Sequence, residues 1–172
     1  LYNFRNFQAQ SGDVEAELDD ALGLNHNEHE LLAAHSEGLI CLSGCVSGEF
    51  SRTLLRGGDA EVNLQEAMEI AGWFHKVFGE RYFVEIRNNG LEIQRLALEG
   101  AVAVANRVGL PLVATNDAFF ADREMHEAHD ALICIAQGVT VSTEHRRRLS
   151  AEHWFKSARE MRTLFADIPE AV

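Results

Sequence analysis

The feature that most constrains the fold of this chain is a regular alternation between residues 38 and 115 of short apolar runs with longer segments of helical periodicity. The predicted strands are residues 38–43, 81–86 and 111–115, and the predicted helices between them are residues 63–78 and 91–107. The first run is nearly continuous, which is typical of a strand buried on both faces. In each helical segment the apolar residues recur at spacings of three and four, so one face is apolar. Strand, helix, strand, helix, strand at this spacing predicts right-handed βαβ units and an α/β fold with a parallel sheet.

Two further helices are predicted after the sheet. Asp122 is placed to cap a helix over residues 123–137, and Ser157 with Glu160 forms the S-x-x-E capping box of a last helix that runs through Phe165. With 172 residues and 47% hydrophobic content, the chain is large enough for one globular domain with its own core.

The charge of the chain disfavours direct contact with nucleic acid. Fifteen basic and 27 acidic residues give a formal net charge of −12, which repels a phosphate backbone. The single basic run, Arg146–Arg148, is interpreted as a solvated loop. Any contact with DNA is therefore expected to come through other parts of a larger protein.

Cysteine usage and hydropathy indicate a cytoplasmic protein without a membrane anchor. Cys41, Cys45 and Cys134 form no C-x-x-C pair, and their odd number argues against a disulfide framework. No apolar run reaches the roughly 18 residues of a membrane span, and residues 1–10 lack the order of a signal peptide.

Polar residues follow each predicted strand, where parallel α/β sheets place their ligand sites. The first strand leads to Cys45, the second to Asn88 and Asn89, and the third to Asp117. A thiolate and a carboxylate are competent ligands for zinc or manganese, but a metal site usually needs three or four protein ligands. Two readings stay open: Cys45 and Asp117 are metal ligands, or Cys45 is a small buried residue and Asp117 caps a turn.

Several long strings resemble, in order and spacing, the PHP (polymerase and histidinol phosphatase) domain of the alpha subunit of bacterial DNA polymerase III. These strings are residues 34–49 (AHSEGLICLSGCVSGE), 73–79 (WFHKVFG), 82–86 (YFVEI), 109–117 (GLPLVATND), 127–135 (EAHDALICI) and 155–157 (FKS). The resemblance runs from about residue 30 to the end. It implies a distorted, TIM-like barrel with parallel strands and flanking helices, of which this chain is a partial version that either begins after the family's opening His-x-His pair or has lost it.

The resemblance also implies which residues belong to a metal cluster. Some members use that cluster for 3′–5′ exonuclease proofreading, and others have lost it and keep the domain as a scaffold. The matching ligand positions are Cys45 and Asp117, whereas Phe119 stands where metal-binding members carry the histidine of an Asp-x-His motif. Glu85 is expected either to support such a site or to pair with Arg87, and His129 to pack or to orient its neighbours. We therefore expect a degraded site with at most residual zinc or manganese.

The resemblance implies three segments and a set of partners. Residues 1–29 form a divergent or poorly ordered segment, residues 30–157 the C-terminal portion of a PHP domain, and residues 158–172 the start of a junction to a polymerase core. The expected partners are the rest of the polymerase chain, which would use magnesium, together with a proofreading exonuclease subunit and other replisome subunits. Two alternatives stay open: a metal-dependent phosphoesterase or exonuclease domain, and a stand-alone PHP phosphatase.

Overall fold

The computed structural model describes residues 26–172, with side chains from Glu28 onward. The chain divides between Glu37 and Gly38 into two units. Of the first unit, the structure describes helix α1 (His26–Ala34) and the residues that follow it, where the His35 Nδ1 atom lies 2.9 Å from the Leu31 carbonyl oxygen. Most of the divergent segment predicted over residues 1–29 lies outside the described residues, and its boundary stays a prediction.

The second unit contains a parallel three-stranded sheet in the order β1-β2-β3. Its strands are β1 (Cys41–Leu42), β2 (Tyr82–Ile86) and β3 (Leu112–Ala114). Cys41 pairs with Tyr82, and Val84 pairs with Leu112, so β2 is the central strand of the three. The predicted α/β fold with parallel strands is confirmed.

Helices flank this sheet. They are α2 (Glu49–Leu55), α3 (Ala60–Phe78), α4 (Glu92–Val108), α5 (His126–Gln137) and α6 (Ala158–Leu164), with short 3-10 turns at Gly79–Arg81, Arg123–Met125 and Pro169–Ala171. The two long helices, α3 and α4, pack against β2 and against each other, and α2 packs against both. A Cβ atom on Gly100 of α4 would lie 3.1 Å from the Leu54 side chain, which explains how α2 approaches α4 so closely. None of the described helices is both long enough and apolar enough to cross a membrane.

The core lies between the central strand and the two long helices. Tyr82, Val84 and Ile86 of β2 are almost fully buried, as are Ala67 and Ala71 of α3. Ala97, Ala101, Val104 and Ala105 of α4 complete this core. Small residues on the helices let their backbones approach the sheet, which is why the buried face of these helices is rich in alanine.

The prediction that the first strand is buried on both faces is wrong. Cys41 is buried, but Leu42 is 40% exposed and Ile40 is 66% exposed. Among the described residues β1 pairs only with β2, so it is an edge strand in this part of the chain. An apolar run alone does not distinguish an edge strand from a central one.

The predicted caps have different outcomes. The capping box is confirmed, because the Glu160 backbone N–H donates to Ser157 Oγ and the Ser157 N–H donates to the Glu160 carboxylate. Asp122, in contrast, makes no side-chain capping bond, and a 3-10 turn over Arg123–Met125 precedes α5. The helix predicted from residue 123 therefore begins at His126.

Candidate functional site

The carboxyl ends of the three strands are aligned by backbone and hydroxyl hydrogen bonds. The Ser43 N–H donates to the Phe83 carbonyl oxygen at 3.0 Å, and the Thr115 N–H donates to the Ile86 carbonyl oxygen at 3.0 Å. The Ser43 hydroxyl also accepts a hydrogen bond from the Glu85 N–H at 2.9 Å. The polar residues that follow the strands are thereby brought to one edge of the sheet, as the sequence predicts.

A guanidinium lies at the centre of this edge. Arg87 Nη2 is 2.8 Å from Glu85 Oε1, Nη1 is 3.3 Å from Asp117 Oδ1, and Nε donates to Thr115 Oγ1 at 3.1 Å. The Thr115 hydroxyl donates to the same Glu85 carboxylate. We call Glu85, Arg87, Thr115 and Asp117 the strand-end cluster. It joins β2 to the segment that follows β3.

The cluster is largely shielded from water. The Glu85 side chain is 3% exposed, that of Arg87 24% and that of Asp117 33%. Burial by itself would lower the pKa of Arg87, but the Glu85 carboxylate outweighs it, with help from Asp117 and Cys45, so the pKa is raised. Arg87 is therefore a permanent positive charge at this edge.

Cys45 shares a small cavity with Arg87. Its half-buried thiol is 3.0 Å from the Ser47 hydroxyl and lines a cavity of about 20 Å³ together with Glu85, Arg87 and Gln94. A cavity of this size has room for about one water molecule. The other two cysteines are buried, and burial raises the pKa of the Cys41 thiol to about 11.

The described residues of this edge do not fit a metal ion. Cys45 shares a cavity with Arg87, and Asp117 pairs with Arg87 at 3.3 Å, so a divalent cation bound at either residue would meet the charge of a guanidinium. Across residues 28–172, no group of three or more His, Cys, Asp and Glu side chains is arranged to hold a metal. The assignment of Cys45 and Asp117 as metal ligands stays a prediction.

The sequence of this chain matches a known protein family. The PHP domain matches residues 3–89, which is about half of the chain. The chain belongs to the PHP domain family.

Curated relatives of this PHP domain carry the name DNA polymerase III subunit alpha. That of Caulobacter vibrioides is 47% identical over 140 residues, which is 81% of this chain and 12% of the relative. Those of Rickettsia bellii and Treponema pallidum are each 37% identical, over 86% and 84% of this chain. The chain thus spans about 12% of the length of the curated relatives it matches.

Phe119, which the resemblance predicts to stand in place of a metal-binding histidine, lies against two imidazole rings. Its ring centroid is 5.9 Å from that of His129 and 5.7 Å from that of His153. The neighbouring Phe120 lies against His126 and His129. Phe119 therefore ties the segment after β3 to α5 and to the chain near residue 153.

The structure also shows polar residues that sequence reasoning misjudged. Arg146, which was predicted to lie in a solvated loop, has a side chain that is only 4% exposed. Its Nη1 and Nη2 atoms donate to Oδ1 and Oδ2 of Asp130 on α5, at 2.6 and 2.5 Å. Asn89 is buried, accepts a bond from Gln94 and donates to the Glu152 carbonyl oxygen. The sequence does not indicate these contacts, because Arg146 and Asp130 are 16 residues apart and Asn89 and Glu152 are 63 residues apart.

Proposed function

We propose that this PHP domain is a structural part of a DNA polymerase III alpha subunit and performs no catalysis of its own. The observation that carries this proposal is the Arg87 guanidinium bonded to Glu85 and Asp117 at the edge where the family places its metal cluster. The curated relatives, named as polymerase alpha subunits, support the choice of the larger protein.

Phosphodiester hydrolysis by a PHP cluster depends on metal ions that activate water and neutralise the charge developing on phosphate. Such a site requires several ligands and an open coordination position. Here the candidate ligands Cys45 and Asp117 flank a cation, and Phe119 supplies a phenyl ring that cannot ligate. These features favour the scaffold over the exonuclease or phosphoesterase.

The proposed larger protein elongates DNA from deoxynucleoside triphosphates with magnesium bound to carboxylates outside this chain. In that protein the domain would brace the polymerase core, offer a surface to a proofreading exonuclease subunit and work in the cytoplasm. The net charge of −12 supports a role away from the DNA itself, since phosphates are repelled by such a surface.

The test is a metal analysis of the full-length protein followed by an exonuclease assay on single-stranded DNA. We expect polymerase activity, no stoichiometric zinc or manganese after dialysis, and no exonuclease activity that depends on Cys45 or Asp117. Cys45→Ala and Asp117→Asn are the informative variants, and Asp122→Asn is the matched control because Asp122 is exposed and lies outside the strand-end cluster. Stoichiometric metal, with exonuclease activity that disappears in Cys45→Ala but not in Asp122→Asn, would show that the domain is an enzyme.

A further inference from the structure

We propose that the Arg87 guanidinium is the resident cation of the strand-end cluster and does structurally what a metal ion would do there: it holds β2 to the chain that leaves β3. This inference deepens the proposed function and rests on it, since both take this edge of the sheet to be without metal. Neither the fold nor the family relationship by itself assigns this structural role to Arg87.

The geometry of the bonds supports this role. The planar guanidinium directs Nη2 to Glu85 on β2, Nε to Thr115 at the end of β3, and Nη1 to Asp117 two residues further on. One rigid group therefore contacts three acceptors on two segments. A point charge on a flexible stem, such as lysine, does not provide this fork.

The electrostatics of Glu85 point the same way. Its side chain is 3% exposed, and a carboxylate so deeply buried requires a positive partner or loss of its charge. Arg87 supplies that charge from the residue directly after β2, where its Nη2 atom lies 2.8 Å from Glu85 Oε1. Removing Arg87 would leave the Glu85 charge uncompensated, so the edge of the sheet should open.

A metal ion and an arginine differ in one measurable respect. A metal can be removed by a chelator, whereas the guanidinium belongs to the residue that directly follows β2 and cannot leave. We therefore expect the strand edge of the wild-type protein to be insensitive to chelators and to respond only to changes in Arg87.

The test is hydrogen–deuterium exchange, read by mass spectrometry on the full-length protein, of peptides that cover residues 41–47 and 112–120. In Arg87→Ala we expect these amides, including the N–H groups of Ser43 and Thr115, to exchange about tenfold faster or more. Arg95→Ala is the matched control: Arg95 also bridges two carboxylates, Glu92 and Glu99, but it is 53% exposed, so exchange should stay within about twofold of wild type.

Chemical rescue makes the test specific for the cation. Guanidinium ion at low-millimolar concentration should fill the space left in Arg87→Ala and slow exchange again, with no such effect on Arg95→Ala. If Arg87→Ala does not fold, Arg87→Lys decides: faster exchange at residues 112–120 supports the proposal, and wild-type exchange overturns it.

Two results would overturn the inference directly. One is equal exchange in Arg87→Ala and Arg95→Ala, and the other is faster exchange at this edge of the wild-type protein when a chelator is added. The first result does not depend on exonuclease activity or on metal content, which test the proposed function separately. Unchanged exchange in a metal-free, inactive domain would refute the role of Arg87 and leave the scaffold proposal standing.

Discussion

At the scale of single residues, the sequence predicts contacts only where partners are close along one element. Glu85 and Arg87 are two positions apart at the end of β2, and of the two alternatives expected for Glu85 the structure shows the pair with Arg87, at 2.8 Å. The contact of Arg87 with Asp117 spans thirty residues, and no pattern in the sequence indicates it. The place of Cys45 and Asp117 after strands identifies them as candidate ligands, but the proximity of Arg87 to both is shown only by the fold.

The buried hydroxyl of Tyr82 allows a test of how much a buried polar group costs in stability. Its ring is fully buried and stacks on Phe74 with centroids 5.5 Å apart, whereas its hydroxyl has no hydrogen-bond partner among the described residues. Burial also raises the pKa of this phenol, which keeps it protonated. A buried hydroxyl without a partner costs about 1–3 kcal/mol, so Tyr82→Phe should leave stability unchanged or raise it by up to about 1 kcal/mol.

Native-state hydrogen exchange of the amides of β2 measures this change in the free energy of opening. Tyr82→Ala is the control, because it removes the stacked ring as well and should cost about 3–5 kcal/mol. A loss of more than about 1 kcal/mol in Tyr82→Phe would mean that the hydroxyl has a partner, such as an ordered water molecule.

At the scale of elements, long periodic helices are predicted well and short or interrupted ones are not. Helix α3 matches its predicted apolar face, and the last residue of α5, Gln137, is also correct. In α4 only part of the predicted face is confirmed: Ala97 and Val104 are buried, but Ile93 and Leu96 are 48% and 46% exposed. Helix α2 was not predicted, because seven residues give too few turns for a period to be recognised. The start of α5 was misplaced because the backbone enters it through a 3-10 turn, which removes the side-chain cap expected of Asp122.

Two aspartates near helix starts test the difference between a real cap and an apparent one. Asp59 accepts hydrogen bonds from the N–H groups of Glu61 and Val62, at 2.9 and 3.3 Å, and so caps α3. Asp59→Ala should destabilise the first turn of α3 by about 0.5–2 kcal/mol. Asp122→Ala should change the stability of α5 by less than about 0.5 kcal/mol, since its side chain makes no capping bond.

The measurement is hydrogen exchange at the first turns of α3 and α5 in both variants. Equal losses would show that Asp122 caps its turn in solution. No loss in Asp59→Ala would show instead that the bonds to Asp59 are replaced by water without cost.

At the scale of the whole molecule, composition predicts the sign of the net charge, but it does not predict which charged side chains are engaged inside the protein. Acidic residues outnumber basic ones by 27 to 15, and several of the basic residues are engaged inside the protein. Arg87 holds the strand-end cluster, and Arg146 is locked onto Asp130. A basic run in a sequence therefore overstates the positive surface that the folded chain presents.

This leads to a prediction about DNA. In the run Arg146–Arg148 the first residue is buried, and Arg148 donates to the Val141 carbonyl oxygen, so the run does not form a patch that is free to bind phosphates. Reversing the two exposed charges, in an Arg147→Glu/Arg148→Glu variant, should change the affinity of the full-length protein for primed DNA by less than about twofold.

Each phosphate contact contributes about 0.9 to the slope of log K against log salt, so anisotropy titrations across a salt series would detect the loss of even one contact. An unchanged slope is expected, because a run that makes no phosphate contact releases no counterions. A slope reduced by about one or two would place the run at the DNA and refute a purely structural role for this domain.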